Sequence, residues 1–170
     1  IRAASLSEQR SPRPGREGAT HHGEGRPDCC GVTLASANLH NSLAAAKQVQ
    51  YQGRSLGRDQ FYRTQFNEAG VHVLGIQEGG SKLASTFNTP VFLRFVAGPA
   101  GTGSKQGDVE LWVNLKRCWA RQGKRQLRPK ASDFTVAFKS QRALYVTLRS
   151  SWIGIDFLVV HASHSWPQRG

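Results

Sequence analysis

Three apolar runs in this chain each stop on a polar residue suited to chemistry, and that repetition constrains the fold more than any other feature of the sequence. Val71-His72-Val73-Leu74-Gly75-Ile76-Gln77-Glu78 enters behind Gly70 and delivers an amide and then a carboxylate. A buried strand presents polar groups to a site in this way. Val32 to Asn38 does the same with an amide, and Ile153 to Val160 runs straight into His161. Strands that end alike can bring their last residues to a common rim, so Asn38, Glu78 and His161 are candidates for one site. Glu78, followed by Gly79-Gly80-Ser81, has the oxygen chemistry to hold a hard divalent cation.

Between these runs the expected order is strand, helix, strand. Asn41 or Ser42 can cap a short helical turn through Leu43 to Ala46, interrupted by 51–57. Asp59 reads as the cap of a firmer helix with Phe61, Tyr62, Phe66 and Ala69 on one face and Gly70 past its end. Further strands are expected at Val91 to Ala97, Val109 to Leu115, Phe134 to Phe138 and Ala143 to Leu148, the last ones spaced for antiparallel hairpins. The glycines of Gly98-Pro99-Ala100-Gly101-Thr102-Gly103 lack both a Gly-Lys-Ser ending and a following helix, so they mark a loop rather than a phosphate cradle.

The charge is uneven. Residues 1–30 hold five Arg and four acids and almost no aliphatic run, so they read as a disordered leader ahead of a domain at 31–170. Nearly all of the formal charge of +12 therefore falls on 31–170. That excess favours a polyanionic partner. Its densest stretch is 116–130, where Lys116, Arg117, Arg121, Lys124, Arg125, Arg128 and Lys130 surround Trp119 without one acid. Self-repulsion predicts a solvated loop there, able to track a nucleic-acid backbone with the Trp119 ring free for stacking.

Three cysteines, Cys29, Cys30 and Cys118, make no disulfide framework and point to a reducing, intracellular compartment. The His21-His22 and Cys29-Cys30 pairs lack zinc-ligand spacing. No stretch is long and apolar enough to span a bilayer or to form a signal peptide. The chain contains no methionine, as a fragment or incomplete gene product would.

Asn38-Leu39-His40-Asn41, Gly75-Ile76-Gln77-Glu78 and Phe157 to His161, in that order, resemble motifs of the endonuclease/exonuclease/phosphatase superfamily. Gly107-Asp108-Val109-Glu110-Leu111-Trp112-Val113-Asn114 is similar to its central glycine-led strand, most like the endonuclease domains of non-LTR retrotransposons. Ala37 stands where Trp is common in that family, and Gly79-Gly80 replaces a frequent Thr-Arg. The resemblance, over residues 31 to 166, implies an α+β fold, part of a two-layered β-sandwich flanked by helices. It implies Glu78 as the carboxylate for Mg²⁺ or Mn²⁺, with Asn38 orienting that metal site. It also implies His161 as the proton-exchanging group, Glu110 as the carboxylate that orients its imidazole, and Arg142 as a grip on a phosphate oxygen.

The family's later blocks, an Asp-x-Asn and a Ser-Asp-His, do not occur in this sequence. The expectation is therefore a truncated metal-dependent phosphodiesterase, derived from a retrotransposon, that acts on DNA in its complete form and is inactive as this chain. A half-sandwich would leave a sheet face bare and the chain poorly stable. Two alternatives stay open: a noncatalytic module binding nucleic acid through Lys116, Arg117, Arg121, Lys124 and Arg125, or a phosphatase of the same superfamily. A DNA substrate would imply the nucleus.

Overall fold

The computed structural model describes residues 2–7, 27–40, 43, 47–81, 84–98 and 108–161. The protein is mostly β-sheet with one α-helix among these residues. Its principal sheet is mixed. Strand β2 (Cys29–Asn38) runs parallel to β5 (Val73–Gln77), with Asn38 level with Gln77. The link between them carries the hairpin of β3 (Gln48–Tyr51) and β4 (Arg54–Gly57), then helix α1 (Arg58–Glu68). Outward from β5 the sheet continues antiparallel through β8 (Val109–Asn114), β7 (Phe92–Ala97) and β6 (Ser85–Asn88). On the other side of β2 lie β1 (Arg2–Ser7), β9 (Ala120–Gln122) and β10 (Arg125–Leu127).

Strand alternation sorts the side chains of this sheet into two cores. Val73, Phe95, Leu111 and Val113 point to one face, where a second sheet of β11 (Phe134–Ser140), β12 (Ala143–Arg149) and β13 (Gly154–Val160) covers them with Leu144, Val146, Phe157 and Val159. The rings of Phe95 and Phe134 meet there at 5.9 Å. Leu74, Ile76, Phe92 and Trp112 point to the other face, where Phe66 of α1 joins them. Completely burying a side chain such as Phe92 stabilises the fold by about 1.5–3 kcal/mol. Each face of the sheet thus has its own cover.

Four expectations are corrected here. The half-sandwich with a bare sheet face does not hold, because β11, β12 and β13 supply the second layer. Among the described residues the large apolar side chains left in the open are Phe87 on β6 and, on the outer face of that smaller sheet, Phe138, Leu158 and Val160. The leader 1–30 is not featureless, since Arg2–Ser7 pairs along 31–36, where β2 offers a free edge. Helix α1 is capped by Gly57, with no side-chain hydrogen bond, and Asp59 sits in its first turn. Gly70 does stand past its end, at φ +77°. Finally, 116–130 is not a plain loop: β9 and β10 form a hairpin through Gly123-Lys124, with Gly123 at φ +56°. The expected turn at 43–46 lies outside the described residues except for Leu43.

Candidate functional site

Glu78 is built by the end of β5. Its amide donates to Asp108 O at 2.9 Å, and its backbone then turns into the left-handed region at φ +52°. Non-glycine residues rarely adopt that conformation, and those that do cluster at functional sites. His40, two residues past β2, is also left-handed at φ 44°. Its amide is held by Asn38 Oδ1 at 3.0 Å, which aims the ring at Glu78. The resulting contact is His40 Nδ1 to Glu78 Oε2 at 3.0 Å.

His161 approaches the same carboxylate from the second sheet. Its Nε2 lies 3.1 Å from Glu78 Oε1, but out of line for a hydrogen bond. Both ring nitrogens are buried, and among the described residues neither has a hydrogen-bond partner. The two sheets are tied at this point by Gln77, whose Nε2 donates to Val160 O at 3.0 Å. The His161 amide donates to Arg142 O at 2.8 Å, which joins the His161 backbone to the turn before β12, with the Arg142 side chain exposed. Asn38, Glu78, His161 and Arg142 therefore come together at one end of the sandwich.

Glu110 does not join them as expected. Leu111 and Val113 of β8 face the second sheet, so Glu110 and Trp112 between them face the helix side, away from β13. Glu110 is 0 % exposed. Its Oε2 accepts from Arg94 Nη2 at 2.8 Å and Trp112 Nε1 at 2.6 Å, while Oε1 accepts from the Ser81 hydroxyl. Arg94 also donates to Asp59 Oδ1 at 2.6 Å and stacks over the Trp112 ring at 4.4 Å. This charge network holds β7, β8 and α1 together. The carboxylate that touches His161 is Glu78.

Asp108 is a residue the sequence reading passed over. It is 4 % exposed, and its two carboxylate oxygens accept the amides of Gly80 at 2.8 Å and Ser81 at 2.6 Å. The loop after Glu78 is thereby wrapped over two buried carboxylates. A Cβ on Gly79 would fall 2.7 Å from Glu110 Oε1, closer than packing allows. Gly79 therefore leaves no room for a side chain, and Gly80 beside it stands at φ +91°. Only the run of small residues after Glu78 hinted at it.

The basic stretch lies elsewhere. β9 pairs with β2 at Cys29 and Cys30, whereas the candidate site is at Asn38, roughly 25 Å along the strand at about 3.3 Å per residue. Two of its residues are diverted to structural work. Trp119 is 0 % exposed, donates through Nε1 to Asn114 O at 3.1 Å, and packs edge-on against His72, so its ring is not free to stack on a base. Arg117 donates to Asn67 O at the carboxyl end of α1, where a cation complements the helix dipole. Lys116, Arg121, Lys124 and Arg125 remain exposed.

Among the described residues no three His, Cys, Asp or Glu side chains converge on a metal position. Asp108 and Glu110 have their oxygens engaged by amides, an indole, a hydroxyl and a guanidinium. Glu78 is the carboxylate within reach, and the exposed Asn38 adds an amide oxygen. No helix among the described residues is long and apolar enough to cross a membrane. Searches of protein families, curated proteins and solved structures give no match to this chain.

Proposed function

We propose that the end of the sandwich where β2, β5 and β13 meet is a phosphodiester site of endonuclease type, which binds a divalent cation and a phosphate but does not turn over in this chain. The observation that carries this reading is Glu78, a left-handed carboxylate set between the imidazoles of His40 and His161. Mg²⁺ keeps several waters and needs only one or two protein carboxylates, so Glu78 with Asn38 fits it, and Mn²⁺ takes the same donors. His40, whose side chain is 80 % exposed, is free to swing aside. Bound there, the ion would polarise a phosphoryl oxygen. Arg142 supplies a guanidinium for a second phosphate oxygen. The excess of cations favours a polymer such as DNA over a small phosphorylated substrate.

The absence of turnover follows from which groups are engaged. A general base needs a partner that fixes its ring, and Glu110, which would supply it by resemblance, is locked on the other face of the sheet. Among the described residues His161 Nδ1 has no hydrogen-bond partner, so none of them sets its tautomer. No Asp-x-Asn or Ser-Asp-His block occurs to replace these groups. Retrotransposon ancestry belongs to the same proposal, through the likeness of 107–114.

The test is a Mn²⁺ titration followed by electron paramagnetic resonance, beside a plasmid-nicking assay in Mg²⁺. Saturable Mn²⁺ binding that Glu78→Gln abolishes, without nicking, is the expected result. Binding that survives Glu78→Gln removes the metal site, and nicking that the same substitution abolishes removes the claim of inactivity.

A further inference from the structure

At the opposite end of the molecule from Glu78, the β9–β10 hairpin and the turn joining β12 to β13 enclose a cleft of about 730 Å³. Arg125, Arg128 and Lys130 line one wall, and Ser151 and Trp152 line the other. All three cations are exposed, and among the described residues none forms an ion pair. The one acid in the cleft, Asp133, already accepts the Lys130 amide at 2.9 Å. Three cations against one carboxylate leave the cleft net positive, and a concave positive surface concentrates anions.

The chain here also sets a spacing. Leu127 and Pro129 are buried while Gln126, Arg128 and Lys130 are exposed. In extended chain this puts alternate side chains on one side, about 6.6 Å apart. That repeat is comparable to the interval between phosphates of an extended polynucleotide. Trp152, partly exposed in the opposite wall, offers an aromatic surface on which a base can stack. A flat ring beside evenly spaced cations suits a base next to its phosphates, and a duplex is too wide for a cleft of small-molecule volume.

We infer that this cleft binds single-stranded nucleic acid, with Arg128 and Lys130 following the phosphates, Arg125 at the mouth and Trp152 stacking on a base. The basic stretch then acts through a site of its own, some 20 Å along β13 from His161 at about 3.3 Å per residue. The inference uses none of the residues of the Glu78 site, so either can fail alone.

The experiment is fluorescence anisotropy of a labelled oligothymidylate with the full chain across a salt series. Replacing Arg125, Arg128 and Lys130 together by Ala should weaken binding and reduce the salt slope by about 1.4, at about 0.7 for each of the two phosphate contacts. Trp152→Leu should weaken binding about tenfold with the slope unchanged. Because Trp152 also touches the core, Ser151→Glu is the companion variant: it places a carboxylate on an exposed position of the same wall and should lower affinity and slope together. Unaltered binding by the triple variant overturns the inference. So does competition by polyaspartate as effective as that by unlabelled oligothymidylate, which would mark a nonselective anion surface.

Discussion

Glu78 and Glu110 carry the same side chain at neighbouring strand ends, yet their surroundings give them opposite roles. Glu110 has no exposed surface and is satisfied by Arg94, Trp112 and Ser81. Removing one partner of a buried pair leaves the other charge uncompensated, which costs about 3–5 kcal/mol. Asp59 still holds Arg94 at 2.6 Å, so Glu110→Gln should fall near the lower end, about 3 kcal/mol. Domains of this size have about 5–15 kcal/mol to lose in total. Glu78 is partly exposed, and its partners are two histidines, one of them largely in solvent. Glu78→Gln should therefore change stability by less than about 1 kcal/mol while removing cation binding. Urea unfolding of the two variants checks this. Equal midpoints would mean that the Arg94 network contributes little.

At the scale of the element, helix α1 shows where the fold leaves stability unclaimed. Gly57 caps it at φ −62°, ψ 150°, which any residue can adopt, and an added Cβ would meet nothing within 4 Å. A serine there can accept an amide of the first turn, and it also reduces the freedom of the unfolded chain. Gly57→Ser should raise stability by about 0.5–1 kcal/mol, read as a higher urea midpoint at unchanged slope. The helix was legible in the sequence because Tyr62 and Phe66 recur at helical spacing and Gly70 ends the run. Its cap was misplaced by two residues, because Asp59 is instead drawn to Arg63 and Arg94. The strands with apolar alternation or a continuous apolar run, β2, β5, β7, β8 and β11 to β13, were equally legible. Short polar strands such as β6 and β9 carry no such period, and only their partners make them strands. The basic hairpin was hidden by its charge, since Trp119 and Leu127 anchor it inward despite the cations around them. For the site, three strand ends predicted the meeting of Asn38, Glu78 and His161. The face on which Glu110 lies was readable from the alternation of Val109, Leu111 and Val113, and the likeness to a known strand outweighed it.

At the scale of the whole molecule, the two candidate regions occupy opposite ends of one sandwich, and His72 sits where the strands linking those ends are pinned. Its Nδ1 accepts the Thr33 amide of β2 at 3.0 Å, and its Nε2 donates to Cys118 O at 3.0 Å, just before the basic hairpin. The Thr33 bond requires Nδ1 to be unprotonated. Burial pushes the pKa of His72 down, and the nearby Arg117 guanidinium adds to this, against an opposing contribution from the Cys118 carbonyl. A base with a lowered folded pKa is held neutral by the native state, while the unfolded chain takes up a proton near pH 6.5. Stability is then fully present above that value. It declines as pH falls below it, and levels off once the folded form is protonated as well. His72→Asn keeps an acceptor for Thr33 but does not titrate. Urea unfolding from pH 8 to pH 5 should show the parent losing stability relative to this variant below about pH 6.5, with parallel behaviour above it. Taking the difference between the two proteins cancels His40 and His161, which both retain. A constant difference across the range would mean that His72 holds the three segments together by packing on Trp119 alone. A widening one would mean that protonating His72 weakens the join between β2 and the hairpin.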